Sequence, residues 1–219
     1  MDTRLMGVKA VIFDLDGVIV STDDCHYEAW QHLADRNGIY FDRQINQRLR
    51  GVSRMESLEI LLERAGCPYT GAEKAAMAAE KNAEYVELVQ KLTPQDILPG
   101  AMETLAKLRA KGIKIAIGSS SKNTPVILKR IGLADYFDAV ADGNHITKSK
   151  PDPEVFLLAA KLMNMAPESC LVVEDADAGV EAARNGGMRV LAVGFAAGNK
   201  QATIAAASLE HIDLAAVID

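Results

Sequence analysis

The chain has 219 residues, of which 49% are hydrophobic and 25% are charged, as in a globular protein with a sizeable core. A formal charge of -6 argues against a broad nucleic-acid surface, and no apolar run approaches the ~18 residues of a membrane helix. The first ten residues do not resemble a signal peptide. Three widely spaced cysteines (Cys25, Cys67 and Cys170) argue against a disulfide framework or a zinc site, so we expect a cytoplasmic protein.

Short, continuous apolar runs predict buried parallel strands, because such strands are covered on both faces of a sheet. One helical pattern lies between each consecutive pair of the last four runs, and one more helical pattern directly precedes the second run. The predicted strands are residues 8–13, 113–117, 139–141, 171–173 and 190–193, and the predicted helices are residues 101–110, 125–131, 153–163 and 178–185. This alternation indicates a doubly wound α/β domain of the Rossmann-like type.

The first connection breaks that rhythm. Residues 22–92 contain no convincing strand and read as helices, with Tyr27, Trp30, Leu33 and Ala34 on one face and Met55, Leu58, Leu61, Leu62 and Ala65 on another. Such a length is far too great for a simple strand-to-helix connection. We therefore expect a helical domain at 22–92, inserted into an α/β core formed by 1–21 and 93–219.

Two carboxylates, Asp14 and Asp16, directly follow the first strand. Because open α/β sheets bind ligands at the carboxyl ends of their strands, one carboxylate there can attack phosphorus while the other transfers a proton. Gly17 permits a sharp turn of the backbone. The same pattern also suits a surface loop, whereas a calcium loop lacks its closing acidic residue.

A second acidic pair, Glu174 and Asp175, follows the strand at 171–173 and is expected on the same sheet edge as Asp14. Carboxylates from two strand ends form an oxygen-rich site that suits Mg²⁺. Asp175 could instead cap the next helix.

Phosphate-binding candidates follow the other strands. Ser119, Ser121, Lys122 and Asn123 offer hydroxyls and backbone amides near a helix start. Lys150 offers a compact positive charge. Serines also cap helices without any ligand, and a Lys-Pro pair also occurs in solvated loops. The acids, the hydroxyl cluster and the lysine are all expected on one edge of the sheet. Chance is a poor explanation for such a combination, which indicates a functional site.

These elements, in this order, resemble the haloacid dehalogenase superfamily of phosphotransferases, and most closely its β-phosphoglucomutase branch. The resemblance spans about residues 8–195 and rests on the segments 11–19, 50–54, 56–58, 81–82, 98–100, 121–123, 149–151 and 174–175, with Thr22, His26, Ala29, Trp30, Ala178 and Gly179. It implies an α/β core with a mobile, inserted helical cap.

The resemblance also implies roles for individual residues. Asp14 is implied to be the nucleophile and Asp16 the general acid/base, with Mg²⁺ held by Asp14, the Asp16 carbonyl, Glu174 and Asp175. Phosphate contacts are implied for Ser119, Ser121, Lys122, Asn123 and Lys150. Sugar-phosphate contacts from the cap are implied for Gly51, Val52, Ser53, Arg54 and Lys81, and Arg50 belongs to the same motif. Thr22 and His26 are implied to lie at the hinge, where they couple cap closure to Asp16.

The implied reaction interconverts β-D-glucose 1-phosphate and D-glucose 6-phosphate through glucose 1,6-bisphosphate, in an enzyme expected to be monomeric. Alternatives are a Mg²⁺-dependent sugar-phosphate phosphatase, a dehalogenase and a non-enzymatic receiver domain phosphorylated on aspartate. Two positions depart from the branch, since Arg50 stands where a lysine is expected and Ser120 where a small apolar residue is common.

Overall fold

A computed structural model of the protein describes residues 5–218. Its six strands form one parallel sheet in the order β3-β2-β1-β4-β5-β6, which places β1 at the centre. The strands are β1 (Ala10–Phe13), β2 (Lys114–Gly118), β3 (Ala139–Ala141), β4 (Cys170–Glu174), β5 (Arg189–Ala192) and β6 (Ile204–Ala205). The predicted doubly wound parallel sheet is confirmed.

Nine α-helices complete the described part of the chain. They are α1 (Asp23–Arg36), α2 (Arg43–Gln47), α3 (Arg54–Leu62), α4 (Gly71–Val89), α5 (Ala101–Ala110), α6 (Thr124–Arg130), α7 (Glu154–Leu162), α8 (Asp177–Asn185) and α9 (Leu214–Val217). Apolar residues of α5, α6 and α9 cover one face of the sheet, and those of α7 and α8 cover the other. The sheet is therefore buried on both faces, as its continuous apolar strands require.

Helices α1–α4, here called the helical insert, all lie between β1 and β2 in the chain. They enclose their own apolar cluster, built around Trp30, Leu33, Leu58 and Leu61. Capping boxes start two of these helices: Ser53 with Glu56 for α3, and Thr70 with Glu73 for α4. The domain limits at residues 22 and 92 stay a prediction, because Tyr85, near the end of α4, packs into the cluster of the sheet.

Two sequence expectations differ from the structure. The helical pattern places Met55 on the apolar face of α3, but the residue is 45% exposed, because it lies in the first turn, ahead of the packed residues Leu58 and Leu61. Strand β6 escaped prediction because only its first residue, Ile204, is buried and apolar. No helix within residues 5–218 is long and apolar enough to span a membrane.

Candidate active site

The sheet register brings the predicted site residues to one edge. Phe13 of β1 pairs with Ile117 of β2 on one side and with Val173 of β4 on the other. The next positions along these three strands are Asp14, Gly118 and Glu174, so all three stand at the same level. This is the carboxyl edge of the sheet, where open α/β folds bind their ligands.

A buried lysine joins the two central acids. The Lys150 Nζ atom donates to Asp14 Oδ1 at 2.7 Å and to Glu174 Oε1 at 2.6 Å. Lys150 is 2% exposed, and although burial opposes its charge, the two carboxylates hold its pKa above the usual range. The ion pairs compensate the buried charges and fix Asp14 at the end of β1.

A third acid, Asp175, crowds the same site. One carboxylate oxygen from each of Asp14, Glu174 and Asp175 lies within 4.8 Å of the others. Burial, followed by repulsion from Glu174 and Asp14, raises the pKa of Asp175 to about 9. Three hard oxygen donors with excess negative charge fit Mg²⁺, which takes carboxylates together with waters and phosphate oxygens.

The turn after β1 depends on glycine. Gly17 has a φ of 76°, and a Cβ atom there would overlap the Asp175 carboxylate. This residue therefore lets the β1 turn approach the acid that follows β4.

Asp16 lines the cleft, but both of its carboxylate oxygens are engaged by Thr22, the residue directly before the helical insert. Its Oδ1 accepts from the Thr22 backbone N–H at 2.5 Å, and its Oδ2 accepts from the Thr22 hydroxyl at 2.7 Å. The Tyr85 hydroxyl in turn donates to Thr22 Oγ1 at 3.0 Å. Burial raises the pKa of Asp16 to about 6. Before it could transfer a proton to or from a substrate, this carboxylate has to leave Thr22.

The loop after β2 is held by hydrogen bonds between its own backbone amides and serine hydroxyls. The Ser121 N–H donates to Ser119 Oγ, and the Asn123 N–H donates to Ser121 Oγ, both at 3.2 Å. The Ser120 hydroxyl is buried and has no hydrogen-bond partner within residues 5–218. The loop also reaches the helical insert, because Asn123 Nδ2 donates to Asn82 Oδ1 at 2.9 Å.

The helical insert presents two cations that have no carboxylate partner among the described residues. Lys81 is 2% exposed, its Nζ lies 2.8 Å from His26 Nδ1, and the rings of Trp30 and Tyr85 flank it. Burial, together with the nearby Arg54, lowers the pKa of Lys81 to about 7. Burial also lowers the pKa of Arg54. Two poorly solvated cations of this kind favour an anionic ligand.

One cleft of about 790 Å³ lies between the sheet edge and the helical insert. The residues predicted from sequence that line it are Asp14, Asp16, His26, Arg50, Gly51, Val52, Ser53, Arg54, Lys81, Ser119, Ser121, Lys122, Asn123, Lys150 and Asp175. Thr22 and Glu174 lie beneath the surface of the cleft, where Thr22 binds Asp16 and Glu174 binds Lys150. A group of cations from one side thus faces a group of acids on the other.

Several residues at this cleft do not follow from the sequence motifs. Tyr85 could have been predicted, because it follows the predicted site residue Lys81 by one helical turn on α4 and so lies on the same face. Asp142 lies behind the cleft, next to the lining residue Gly143, and its place directly after β3 could have indicated it; it is fully buried, and its Oδ1 accepts from the Asn144 N–H at 2.8 Å. No sequence signal indicates Phe195, which follows β5 and is 70% exposed at the cleft.

The fold and the acidic strand ends define a phosphoryl-transfer enzyme built on a parallel α/β sheet. The chain belongs to the haloacid dehalogenase-like hydrolase family, whose sequence model matches residues 8–187. This confirms the family resemblance drawn from the motifs.

Several relatives within the family are similar over most of their length. The β-phosphoglucomutase of Bacillus subtilis is 47% identical over 189 residues, 85% of this chain and 84% of that protein. A phosphorylated carbohydrates phosphatase of Thermotoga maritima is 33% identical over 184 residues, 83% of this chain and 82% of that protein. The crystal structure of a β-phosphoglucomutase from Clostridium difficile superposes with a TM-score of 0.87 at 41% identity, covering 93% of this chain and 92% of that one.

Proposed function

We propose that the protein interconverts β-D-glucose 1-phosphate and D-glucose 6-phosphate through enzyme-bound glucose 1,6-bisphosphate, with Asp14 carrying the phosphoryl group. The observation that carries the proposal is the cleft with cations on both sides. Lys150 stands beside Asp14 at the sheet edge, and Arg54 and Lys81 come from the helical insert. A bisphosphate intermediate needs two anion-binding positions, and cations on both sides of the cleft support that requirement.

In this mechanism an Asp14 carboxylate oxygen attacks phosphorus of the sugar bisphosphate and forms an aspartyl phosphate, while the phosphorus–oxygen bond to the sugar breaks and the freed sugar oxygen takes a proton from Asp16. Lys150, already bonded to that carboxylate, offsets the charge that collects around the phosphoryl group. The Ser119–Asn123 loop would orient the phosphoryl oxygens, and the arginine fork of Arg54 suits the phosphate at the other end of the sugar.

Proton transfer belongs to Asp16, because an aspartyl phosphate cannot also act as a base. A carboxylate with a pKa of about 6 can accept a proton from a sugar hydroxyl and return it near neutral pH. Its bonds to Thr22 must first break, and the hinge position of Thr22 links that step to movement of the helical insert.

Mg²⁺ is part of the proposal. Asp14, Glu174 and Asp175, with the backbone carbonyl of Asp16, would hold it, and it would supply positive charge against the phosphoryl oxygens.

A second candidate function is hydrolysis of sugar phosphates on the same residues, with water as the acceptor. The observation that favours it is the composition of the sheet edge, where Asp14, Lys150 and the Ser119–Asn123 loop suffice for one phosphate. The phosphatase relative from Thermotoga maritima is 33% identical to this chain and is named for phosphorylated carbohydrates. The two functions differ in whether the distal cations are used.

Product analysis tests the proposal. The protein is incubated with β-glucose 1-phosphate, Mg²⁺ and a trace of glucose 1,6-bisphosphate, and glucose 6-phosphate and inorganic phosphate are both measured. We expect glucose 6-phosphate as the main product and a strong dependence on the bisphosphate. The α anomer is the matched control and should react much more slowly. If only glucose and inorganic phosphate appear, the phosphatase is the correct assignment.

A further inference from the structure

Among the described residues, two side-chain contacts on the rim of the cleft join the helical insert to the sheet side. One is the Asn123–Asn82 hydrogen bond described above. The other joins Arg50, in the loop before α3, to Phe195, in the short 3₁₀ turn Gly194–Gly198 that follows β5. The Arg50 Cζ atom lies 3.6 Å from the centroid of the Phe195 ring. Both side chains line the cleft.

Arg50 is fixed on the side of the helical insert before it reaches Phe195. Its Nε donates to Asp23 Oδ1 at 3.2 Å, and its Nη2 donates to Asp23 Oδ2 at 2.8 Å. Asn46 Nδ2 donates to the same Asp23 Oδ1 at 3.2 Å. Asp23 is the first residue of α1, directly after the hinge residue Thr22. This two-point ion pair sets the plane of the guanidinium, which is presented to the aromatic ring of the sheet side.

The position of Arg50 governs the loop that follows it. A Cβ atom on Gly51 would lie 3.1 Å from the Ala176 Cβ, so this loop lies directly against the segment that carries Asp175. Three residues further on is Arg54, the cation expected to hold the distal phosphate. A contact that holds Arg50 against the sheet therefore also holds loop 50–54 over the acidic edge.

The exposure and the aromatic character of Phe195 both indicate a role in its contact with Arg50. It is 70% exposed, so it contributes little to the core, and a large exposed aromatic side chain needs another reason to be there. An aromatic face attracts a guanidinium through its quadrupole, which an aliphatic side chain of similar size lacks. Phe195 occupies the one large exposed apolar position on the cleft that comes from the sheet side within residues 5–218.

We propose that Phe195 is a positioning residue whose ring receives the Arg50 guanidinium, holds loop 50–54 against the sheet edge, and thereby favours the sugar over water as phosphoryl acceptor. The inference rests on the proposed function.

Whether the acceptor is the sugar or water, the bond between the Asp14 oxygen and phosphorus breaks, a phosphorus–oxygen bond forms to the acceptor, and the acceptor's proton passes to Asp16. With sugar phosphate the product is the bisphosphate, and with water it is inorganic phosphate. Phe195 touches none of the reacting atoms and acts by keeping the cleft closed to water.

The first test measures the ratio of glucose 6-phosphate formed to inorganic phosphate released. We expect Phe195→Leu to lower this ratio about two- to five-fold, the factor that an exposed cation–π contact supplies. Phe195→Tyr keeps an aromatic face and should restore the wild-type ratio. Leu162→Ala is the matched control, because Leu162 is 54% exposed on α7 and does not line the cleft. An unchanged ratio in Phe195→Leu, or an equal change in Leu162→Ala, would overturn the inference.

The second test needs no substrate and so separates this inference from the proposed function. Amide hydrogen exchange is followed for the peptide covering residues 49–58 in the wild type, Arg50→Met, Phe195→Leu and the double variant. We expect each single change to speed exchange in this peptide, and the double change to add little beyond the larger single effect. Fully additive effects would show that the two side chains act independently and would refute the contact's role. If the protein releases only inorganic phosphate, the proposed function is refuted. The hydrogen-exchange result would still decide whether the Arg50–Phe195 contact holds loop 50–54.

Discussion

Asp14 combines an ion pair to Lys150 with a position at the cleft. Its Oδ1 is bonded to Lys150, and the side chain as a whole lies at the end of the central strand of the sheet. Lys150 thus both holds the carboxylate in place and stabilises its charge. A nucleophile needs such an environment, because its attacking oxygen must keep one position.

The first prediction concerns this carboxylate. Asp14→Asn keeps the shape of the side chain but removes the attacking oxygen, so we expect turnover to fall by roughly 10³-fold or more. The measurement is the rate of glucose 6-phosphate formation, with the thermal unfolding midpoint as the control for folding. A variant that keeps several per cent of the wild-type rate would exclude a covalent intermediate on Asp14.

The second prediction concerns the pH dependence that Lys81 imposes. Its pKa of about 7 means that the free enzyme loses this positive charge as the pH rises through 7. We therefore expect kcat/KM for the sugar phosphate to fall through that range, because an uncharged amine no longer attracts a phosphate dianion. His26 does not share this titration, since burial and Lys81 hold its pKa well below the usual value.

Pairs of variants separate Lys81 from other groups. Lys81→Met should be less active and should show no fall in kcat/KM near pH 7. Lys200→Met, which removes an exposed lysine outside the cleft, should keep the wild-type profile. A fall at the same pH in Lys81→Met assigns the titration to a different group.

At the scale of elements, the strands that a sequence predicts best are those with continuous apolar runs. The run at residues 171–173 marks β4 to within one residue at each end, because every residue from Cys170 to Glu174 is buried. Strand β6 is too short to produce such a pattern. The acids Asp14, Glu174 and Asp175 were predictable in the same way, since a residue that directly follows a parallel strand has a defined place in the fold.

Contacts between distant side chains could not be predicted in that way. The Tyr85 hydroxyl meets Thr22, which is 63 residues earlier, and this depends on how α4 packs beside the hinge. The Arg50–Phe195 contact depends on where the chain turns after β5, and no motif marks that turn. Periodicity defines which face of an element is buried, but it leaves the partner across a domain boundary undetermined.

The third prediction concerns the turn between β1 and the hinge. Gly17→Ala introduces two costs: a side chain at a φ of 76°, and overlap with the Asp175 carboxylate. Gly38→Ala is the matched control, because Gly38 has a φ of 64° and no atom within 4 Å of an added Cβ. We expect the control to lose about 1–2 kcal/mol of unfolding free energy from backbone strain, and Gly17→Ala to lose more.

Urea unfolding measures both variants. Because the overlap displaces an acid of the expected metal site, Gly17→Ala should also need a higher Mg²⁺ concentration for half-maximal activity, whereas Gly38→Ala should not. Equal losses of stability in the two variants would mean that the acid moves aside without cost.

At the scale of the whole molecule, the acidic edge is a source of instability that a cation can relieve. Asp175 has a raised pKa because burial and its acidic neighbours disfavour its charge, so binding of Mg²⁺ should stabilise the folded state. Mg²⁺ at about 100 times its Kd should add about 2.7 kcal/mol, which corresponds to an increase of about 5–10 °C in the unfolding midpoint.

Calorimetry with and without Mg²⁺ checks this fourth prediction, and an excess of chelator should reverse the shift. Asp175→Asn removes one donor and should reduce the shift strongly. Asp177→Asn, two residues further along at an exposed position, should keep it. A midpoint that does not respond to Mg²⁺ in the wild type would contradict the metal site proposed for Asp14, Glu174 and Asp175.

The division between mutase and phosphatase activity is also a property of the whole molecule, because in the proposed mechanism the sheet holds one phosphate and the helical insert holds the other. Arg54 is partly buried on the cleft and has no carboxylate partner within residues 5–218. Loss of a charge-assisted, two-point contact costs about 1.5–3 kcal/mol, so Arg54→Ala should lower glucose 6-phosphate formation about 10- to 150-fold. Hydrolysis of acetyl phosphate, which carries a single phosphate and does not reach Arg54, should change much less.

Arg64→Ala, outside the cleft on the same insert, controls for a general loss of charge. If Arg54→Ala lowers both activities equally, the distal phosphate position does not exist, and the sheet edge alone accounts for the chemistry.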